Sequence, residues 1–269
     1  MLKKTSCFLV LAGAVALAPF SVRCGRDSRR TVNVVGSTSI QPFAELLAQE
    51  YEKKNPGQKV DVQGGGSTAG LQAVHNGLAQ IGMCSRALSP EEAKEFTPVT
   101  IARDGLAVVV NPANPVGGLT VEQIRGLFSG QTKNWTDVGG KDEPVRVITR
   151  EEGSGTRDCF VHLAMGKEKI SQEALVQESS GAVKELVKGN PGAIGYISLG
   201  LVSKELKALV VDGAVPTAEN VLAGKYKLAR PLLFVTRGSP NPKAQKFIDF
   251  VSLPESQKTL EAEGLIRAQ

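Results

Sequence analysis

Short apolar segments alternate with longer segments of helical periodicity in the first part of the chain, which restricts the folds open to it. "TVNVVG" (31–36) and "KVDVQ" (59–63) predict strands, while residues 42–54 and 68–78 place apolar side chains at helical spacing. Strand–helix–strand alternation of this kind predicts parallel pairing with right-handed crossovers. We therefore expect an α/β fold.

A break rich in proline and glycine, "NPANPVGG" (111–118), separates this block from a second one. Two apolar strands, "GLAVVVN" (105–111) and "RPLLFVT" (230–236), bracket the middle of the chain. The pattern predicts two lobes between which the chain crosses twice. The expected bounds are residues 31–110 with 231–269 for lobe 1, 111–230 for lobe 2, and crossings near 110–112 and 229–231.

The first 24 residues are typical of an export signal. Lys3 and Lys4 precede the apolar run "CFLVLAGAVALA" (7–18), which is too short to span a bilayer. The small-residue cleavage site in this run would leave a proline next to the cut, and Cys24 lies about where a lipidated cysteine would stand. We expect residues 1–24 to be a signal peptide, with lipidation of Cys24 as an open alternative to ordinary cleavage.

Charge and residue usage argue against several classes of protein. The formal net charge of +5 falls to about +2 without the three basic residues of segment 1–24, and no basic stripe with interleaved aromatic residues is present. Nucleic acid is therefore not an expected partner. The cysteines and the two histidines have no metal-ligand spacing, so neither a metal nor another cofactor is expected.

Three segments, which we call the hydroxyl–glycine segments, lie between a predicted strand and a predicted helix. They are "VGSTSIQP" (35–42), "GGGSTAG" (64–70) and "EEGSGTRDCF" (151–160). Free N–H groups and the helix dipole favour an anion at a helix N-terminus, and serine or threonine adds a donor on a short side chain. A single such segment is more often an ordinary N-cap. Three of them, two in lobe 1 and one in lobe 2, predict a shared site for one small anion.

Arginines lie beside these segments. Arg150 and Arg157 flank the third one, and Arg86 follows a buried strand of lobe 1. A guanidinium donates to two oxygens of a tetrahedral anion, whereas an isolated arginine is more often solvated or ion-paired. The position next to "GSGT" favours Arg150 and Arg157 as anion-binding residues.

A hydrolase is the alternative from another class of protein. "GGSTA" (65–69) lacks the final glycine of a nucleophile elbow, and His75 and His162 each lie on a predicted helix away from its start. No histidine is placed as an obvious base for a serine. We therefore expect no catalytic residue and no enzymatic activity.

An ordered set of motifs resembles the phosphate-binding subunit of bacterial phosphate ABC transporters. The motifs are "GSTSIQP", "GGGSTAG", "GMCSRAL", "NWTDVGG", "REEGSGTRDCF" and "NPGAIGYISLG", and the resemblance covers essentially all of residues 31–265. It implies a two-lobed periplasmic binding protein-like fold that closes on phosphate about a hinge with two crossovers. It also implies a membrane permease as partner, and a location that is periplasmic or lipid-anchored at the outer face of a bacterial membrane.

The same resemblance carries the ligand contacts onto this sequence. Thr38, Ser39 and Ser67 match contacts of one lobe, and Arg150 with the "SGT" motif matches those of the other. Ser37 is a neighbouring candidate. The expected phosphate-binding residues are Ser37, Thr38, Ser39, Ser67, Arg86, Arg150, Ser154, Gly155 and Thr156, with Thr68, Asp104, Arg157 and Asp158 as further candidates.

Arg86 marks a departure from part of the family. Some members have an aspartate here, which accepts the proton of hydrogen phosphate and so distinguishes it from sulfate. Other members carry "SR" at this place, so phosphate remains the expected ligand. Asp158 and Asp104 are the candidates for a replacement acceptor. A site for sulfate, molybdate or another oxyanion is the nearest alternative.

Two cysteines and the single tryptophan raise further hypotheses. Cys84 and Cys159 should approach the cleft from opposite lobes, where a disulfide would restrain closure, but two separate buried thiols are the favoured interpretation. Trp135 is expected to pack inside lobe 2 rather than to stack on a ligand.

Overall fold

The computed structural model describes residues 31–268, which form a mixed α/β structure. The expected signal peptide and Cys24 lie outside the described residues. Among residues 31–268, no helix combines the length and the apolar content that crossing a bilayer requires.

Strands and helices follow one another along this range. The strands are β1 (Thr31–Gly36), β2 (Lys59–Gly64), β3 (Ile81–Cys84), β4 (Phe96–Val110), β5 (Gly118–Leu119), β6 (Arg146–Arg150), β7 (Leu175–Gln177), β8 (Ala193–Ser198), β9 (Lys207–Ala208), β10 (Val210–Val211), β11 (Ala229–Arg237) and β12 (Ile266–Arg267). The α-helices are α1 (Gln41–Lys54), α2 (Ser67–His75), α3 (Glu92–Glu95), α4 (Val121–Ser129), α5 (Gly155–Phe160), α6 (Ser180–Gly189), α7 (Ala218–Leu222), α8 (Pro242–Ser252) and α9 (Pro254–Ala262). Short 3-10 helices cover Trp135–Val138 and Leu199–Leu201, and a π-helical turn covers Val161–Met165.

Most strands join one sheet in the order β2-β1-β3-β11-β4-β8-β6-β7, with β9 and β12 also paired to β4. β1 pairs in parallel with both β2 and β3, and β6 pairs in parallel with both β7 and β8. The parallel pairing that the strand–helix alternation predicts is therefore confirmed in these two groups. The central strands β4 and β11 are antiparallel to each other, because the chain returns along β11.

β4 changes its partner after Gly105, the tenth of its fifteen residues. Its first part, up to Gly105, pairs with β11, and its second part, from Leu106, pairs with β8. The strand therefore belongs to the sheets on both sides of the molecule. It is the structural link between them.

Separate apolar cores lie on the two sides of this link. On the β1 side, α1, α8 and α9 pack against the sheet, and on the β8 side α4 and the π-helical turn do so. The helices of the two sides thus pack on separate cores, and the end of β4 (residues 106–110) contributes to the core on the β8 side. The predicted two-lobed α/β fold is confirmed. Representative core residues are Val34, Leu47, Phe234 and Phe247 on the β1 side, and Val108, Phe128, Phe160 and Tyr196 on the β8 side.

Trp135 packs in the interior of lobe 2, as the sequence predicts. It is 1% exposed, and its Nε1 donates to the carbonyl oxygen of Gly192 at 2.9 Å. The indole N–H is satisfied by backbone, so its role is structural.

Candidate functional site

Each hydroxyl–glycine segment follows the carboxyl end of a strand and leads into a helix. β1 ends at Gly36, β2 at Gly64 and β6 at Arg150. Helices α1, α2 and α5 then begin within a few residues of these ends. In α5, Ser154 is an N-cap whose Oγ accepts from the amide of Arg157 at 3.3 Å, so the ordinary capping role holds for this residue.

Five hydroxyls from these strand ends and their neighbours meet in one buried group, which we call the hydroxyl cluster. Its members are Ser39, Ser67, Ser85, Thr156 and Ser180, each at most 2% exposed. Ser39 Oγ lies 2.7 Å from Thr156 Oγ1 and 2.9 Å from Ser180 Oγ. Ser85 Oγ lies 3.4 Å from both Ser67 Oγ and Thr156 Oγ1. The cluster therefore joins lobe 1 directly to lobe 2.

Backbone groups of the two lobes also make contact beside the cluster. The amide of Thr68 donates to the carbonyl oxygen of Gly153 at 3.0 Å. The amide of Ser180 donates to Thr38 Oγ1 at 3.2 Å. Ser37 is 2% exposed, and its Oγ accepts from the amide of Ser39 at 3.2 Å, which shapes the loop before α1.

Arg150 lies at one side of the cluster and is 1% exposed. Its Nε and Nη2 donate to the two carboxylate oxygens of Glu151, both at 2.8 Å. Its Nη1 donates to Ser180 Oγ at 3.1 Å. The carboxylate compensates the buried charge and fixes the guanidinium, so that one donor edge faces the hydroxyls.

Arg230 lies at the other side and is 3% exposed. It pairs with Asp104, which is 1% exposed, at distances of 3.0 Å from Nε and 2.9 Å from Nη2 to Oδ2. Its Nη1 donates to Thr156 Oγ1 at 2.8 Å. Burial raises the pKa of Asp104 above its ordinary value, and the facing guanidinium opposes this shift.

Arg86 lies outside the hydroxyl cluster. Its Nη1 and Nη2 donate to the carboxylate of Glu92 at 2.7 and 2.9 Å, and its Nε donates to Asp158 Oδ2 at 2.9 Å. These hydrogen bonds lower the pKa of Glu92. Asp158 belongs to lobe 2, so the contact bridges the lobes. Arg157 likewise makes no hydrogen bond to the five cluster hydroxyls, and its Nη1 donates to the carbonyl oxygen of Arg150 at 3.0 Å.

Neither expected proton acceptor touches the cluster. Asp104 Oδ1 accepts from Ser198 Oγ and from the amide of Leu199, while Oδ2 accepts from Arg230. Asp158 contacts Arg86 instead. Among residues 31–268, the hydrogen-bond partners of the five cluster hydroxyls include no carboxylate.

Three residues of this site were absent from the sequence-based set: Ser85, Ser180 and Arg230. A signal for Ser180 exists, because "ESSGAVKEL" (178–186) is a fourth segment of hydroxyls and glycine between a strand and a helix. Ser85 directly follows β3, which is a weaker signal of the same kind. Arg230 begins an apolar strand far along the chain, and only the antiparallel register of β11 with β4 brings it to the site.

Cys84 and Cys159 are both free and buried, in agreement with the favoured interpretation, and burial raises the pKa of each thiol. His75 contacts Glu95 at the surface, with 2.5 Å between Nδ1 and Oε1. Within the described part of the chain, no three histidine, cysteine or acidic side chains are grouped to hold a metal ion.

Comparison with known proteins identifies the family. Residues 23–255 match the model of the PBP superfamily domain. The phosphate-binding protein PstS of Bacillus subtilis is 31% identical over 264 residues, covering 94% of this chain and 88% of the relative. PstS of Borreliella burgdorferi is 30% identical over 254 residues, covering 90% of this chain and 91% of the relative.

Solved structures of similar proteins indicate the same family. A protein from Clostridium perfringens, solved with bound phosphate, superposes with a TM-score of 0.86 at 38% identity, covering 89% of this chain and all of the other. An ABC-type phosphate transport receptor from Vibrio cholerae superposes with a TM-score of 0.74 at 39% identity, covering 88% of this chain and all of the other. By sequence and by fold, the chain belongs to the PBP superfamily and, within it, to the family of the phosphate-binding proteins PstS.

Proposed function

We propose that this chain captures inorganic phosphate between its two lobes and delivers it to the membrane permease of an ABC transporter. The observation that carries the proposal is the hydroxyl cluster, in which donors from both lobes meet between two buried arginines. Family membership supports the same ligand, because the relatives are phosphate-binding proteins.

The proposed ligand contacts come from both lobes. Lobe 1 supplies Ser37, Thr38, Ser39 and Ser67, and lobe 2 supplies Arg150, Ser154, Gly155 and Thr156. Hydroxyls that bond one another can turn their protons onto anion oxygens, since an O–H can rotate about its C–O bond toward a new acceptor. Six hydrogen bonds to a charged group would contribute roughly 9–18 kcal/mol, against an association cost of roughly 4 kcal/mol or more. Micromolar affinity requires about 8 kcal/mol, so no metal ion is needed.

The four remaining candidates and Arg86 take supporting roles in this proposal. Arg86 and Asp158 link the two lobes and do not contact the anion. Their mutual hydrogen bond supports this role. Arg157 and Thr68 hold the third segment in place through the carbonyl oxygens of Arg150 and Gly153. Asp104 acts through Arg230.

The proposed lobes are residues 31–110 with 231–269 and residues 111–230. The change of partner along β4 between Gly105 and Leu106 supports a hinge in this strand, and the start of β11 at Ala229 supports the second crossing. Rotation about these strands would separate Ser39 from Thr156 and open the site. Small-angle scattering should give a smaller radius of gyration with phosphate than without it, and an unchanged radius would contradict closure.

Calorimetric titration of the mature chain with phosphate, arsenate and sulfate tests the ligand. We expect phosphate to bind with micromolar or lower Kd, and Arg150→Ala to weaken it by two orders of magnitude or more. His75→Ala is the control and should leave Kd unchanged. Tighter binding of sulfate than of phosphate would favour the alternative of another oxyanion, and no heat with any of the three would refute the proposal.

Discrimination between phosphate and sulfate is tested by titration across pH. Sulfate has no proton to donate near neutral pH, so a preference for phosphate requires an acceptor in the protein. Asp104→Asn or Asp158→Asn should reduce the preference if that carboxylate accepts the proton. An unchanged preference in both variants would direct attention to a hydroxyl or carbonyl oxygen of the cluster.

Membership of the family implies a location outside the cytoplasm. We propose that residues 1–24 direct export and that Cys24 is either removed with them or lipidated. Mass spectrometry of the mature N-terminus distinguishes the two, because lipidation would leave Cys24 as the first residue with a diacylglyceryl mass added. A mature chain that still begins at Met1 would contradict both.

A further inference from the structure

We propose that Arg230 is a second anion-binding arginine of this site, positioned by Asp104, and that it contacts phosphate together with Thr156. This inference rests on the proposed function, because it assigns a further residue to the same ligand. Arg230 lies outside all the hydroxyl–glycine segments, on the strand by which the chain returns to lobe 1.

Arg230 lies at the base of the cleft, where both crossings of the chain come together. Its Cα pairs with that of Asp104 across β11 and β4, one position from Gly105, after which β4 changes partner. Under the proposed hinge, a residue so close to the rotation axis moves little between open and closed forms. It would therefore face the ligand from the first encounter onwards.

The guanidinium divides its donors between two tasks. Nε and Nη2 donate to Asp104, while Nη1 donates to Thr156 Oγ1 at 2.8 Å and to the carbonyl oxygen of Ser85 at 3.2 Å. Asp104 is itself held by Ser198 Oγ at 2.9 Å. The carboxylate thus fixes the charged group, and a fixed donor loses little side-chain entropy when an anion binds.

The same contact sets the direction of the Thr156 hydroxyl. Oγ1 accepts a hydrogen bond from Nη1 of Arg230, which has no lone pair to offer in return, so the hydroxyl proton must point elsewhere. Ser39 Oγ, at 2.7 Å, is the nearest oxygen on the lobe 1 side. Thr156 therefore presents a donor toward lobe 1, where an anion oxygen could take the place of the serine oxygen.

Arg150 shows the same arrangement on the opposite side of Ser39. Its Nε and Nη2 pair with a carboxylate, and its Nη1 donates to Ser180 Oγ, which lies 2.9 Å from Ser39 Oγ. Two guanidinium groups, each paired with an acid, thus orient two hydroxyls toward one point. An anion at this point would meet donors from both sides, and Arg230 repeats the geometry of the arginine that the family resemblance assigns to the ligand.

Calorimetry with inorganic phosphate on the mature chain and on Arg230→Lys tests the inference. Lysine keeps the charge opposite Asp104, but one ammonium cannot bind the carboxylate and the cluster with the same fork geometry. We expect Kd to rise about 10- to 100-fold, the effect of losing one charge-assisted hydrogen bond. The double variant Arg230→Met with Asp104→Leu removes the pair without leaving a buried charge unpaired, and should show at least the same loss.

Arg237→Lys is the matched control, because Arg237 lies at the other end of β11 on the surface, 3.1 Å from Glu95. Its Kd should stay within twofold of that of the unmodified chain. Circular dichroism without phosphate establishes that each compared variant is folded, and the double variant provides the comparison if the single one unfolds. Binding within twofold in the folded Arg230 variants would overturn the inference and leave the proposed function intact. Absence of phosphate binding by the unmodified chain would overturn the proposed function instead.

Discussion

Gly155 of α5 and Ser67 of α2 approach each other across the two lobes so closely that a methyl group does not fit between them. A β-carbon at Gly155 would lie 2.3 Å from Ser67 Oγ and 3.0 Å from Ser85 Oγ. A carbon and an oxygen that are not covalently bonded do not approach each other to 2.3 Å, so one partner would have to move. The bare backbone at Gly155 therefore sets how near the start of α5 comes to lobe 1.

Gly155→Ala should weaken phosphate binding by about tenfold or more, because the added methyl group holds the lobes apart. The position is the first residue of α5, where alanine is a better helix former than glycine by about 1 kcal/mol, so lobe 2 itself should fold normally. Calorimetry gives the affinity, and small-angle scattering should show a larger radius with phosphate than in the unmodified chain.

Gly189→Ala provides the control for this substitution. Gly189 ends α6, and no atom lies within 4 Å of the β-carbon that alanine would add there. Its phosphate affinity should equal that of the unmodified chain. Equal affinities for Gly155→Ala and the unmodified chain would show that the lobes need not come this close to bind the anion.

Asp158→Asn should weaken phosphate binding only slightly, by less than about fivefold. The hydrogen bond between Arg86 and Asp158 bridges the lobes, but the Asp158 side chain is 44% exposed, and exposed ion pairs contribute at most about 1 kcal/mol. The small loss should become smaller at high salt, because screening weakens the pair in the unmodified chain as well. Calorimetry at low and high ionic strength measures both effects.

Arg86→Met tests whether Arg86 binds the anion directly or only links the two lobes. If Arg86 binds the anion directly, Arg86→Met should lose as much phosphate affinity as Arg150→Ala. If Arg86 only links the lobes through Asp158, the loss should be no larger than that of Asp158→Asn. Arg86 also pairs with Glu92, so the variant is expected to be less stable. The unfolding midpoint of Arg86→Met without phosphate shows whether the variant is folded under the conditions of the titration. A loss of two orders of magnitude in affinity would place Arg86 among the anion contacts.

Local sequence indicated the strand ends at which the hydroxyl cluster forms. The loops before α1, α2 and α5 carry their function in a few adjacent residues, because a helix N-terminus offers donors that depend only on local backbone. Ser39, Ser67 and Thr156 lie at these junctions, where the family resemblance assigns them to the ligand, and all three are members of the hydroxyl cluster. The alternation of strands and helices likewise predicted the parallel groups around β1 and β6.

Residues that depend on distant pairing could not be found in this way. Arg230 reaches the cluster because β11 runs antiparallel to β4 with Asp104 opposite, and that register joins positions 126 residues apart. Arg86 was expected at the anion because it follows a buried strand, but no local rule indicates that Glu92 and Asp158 will engage its guanidinium. Partner choice among buried charges is decided by tertiary packing.

Tyr196 contacts the end of β6, which carries Arg150, and the contribution of its hydroxyl to stability should depend on pH. Its hydroxyl lies 2.7 Å from Thr149 Oγ1 and accepts from the amide of Arg150 at 3.3 Å. Burial raises its pKa to about 12. In the unfolded chain a tyrosine loses its proton near pH 10, so the unfolded state deprotonates first as pH rises. The contribution of Tyr196 is therefore complete below pH 10 and is lost between about pH 10 and 12.

Tyr196→Phe should lower the free energy of unfolding by about 1–2 kcal/mol at pH 8, because the Thr149 hydroxyl and the Arg150 amide lose a partner. Between pH 10 and 12 the gap between the variant and the unmodified chain should narrow by up to about 1.4 kcal/mol per pH unit. Urea unfolding at pH 8, 10 and 11 measures the gap at each value. Burial also raises the pKa values of Tyr51 and Tyr226, but both chains retain these residues, so their effect cancels in the comparison. A gap that stayed constant with pH would mean that the phenol ionises at the same pH in the folded and unfolded chain, and would contradict the raised pKa of Tyr196.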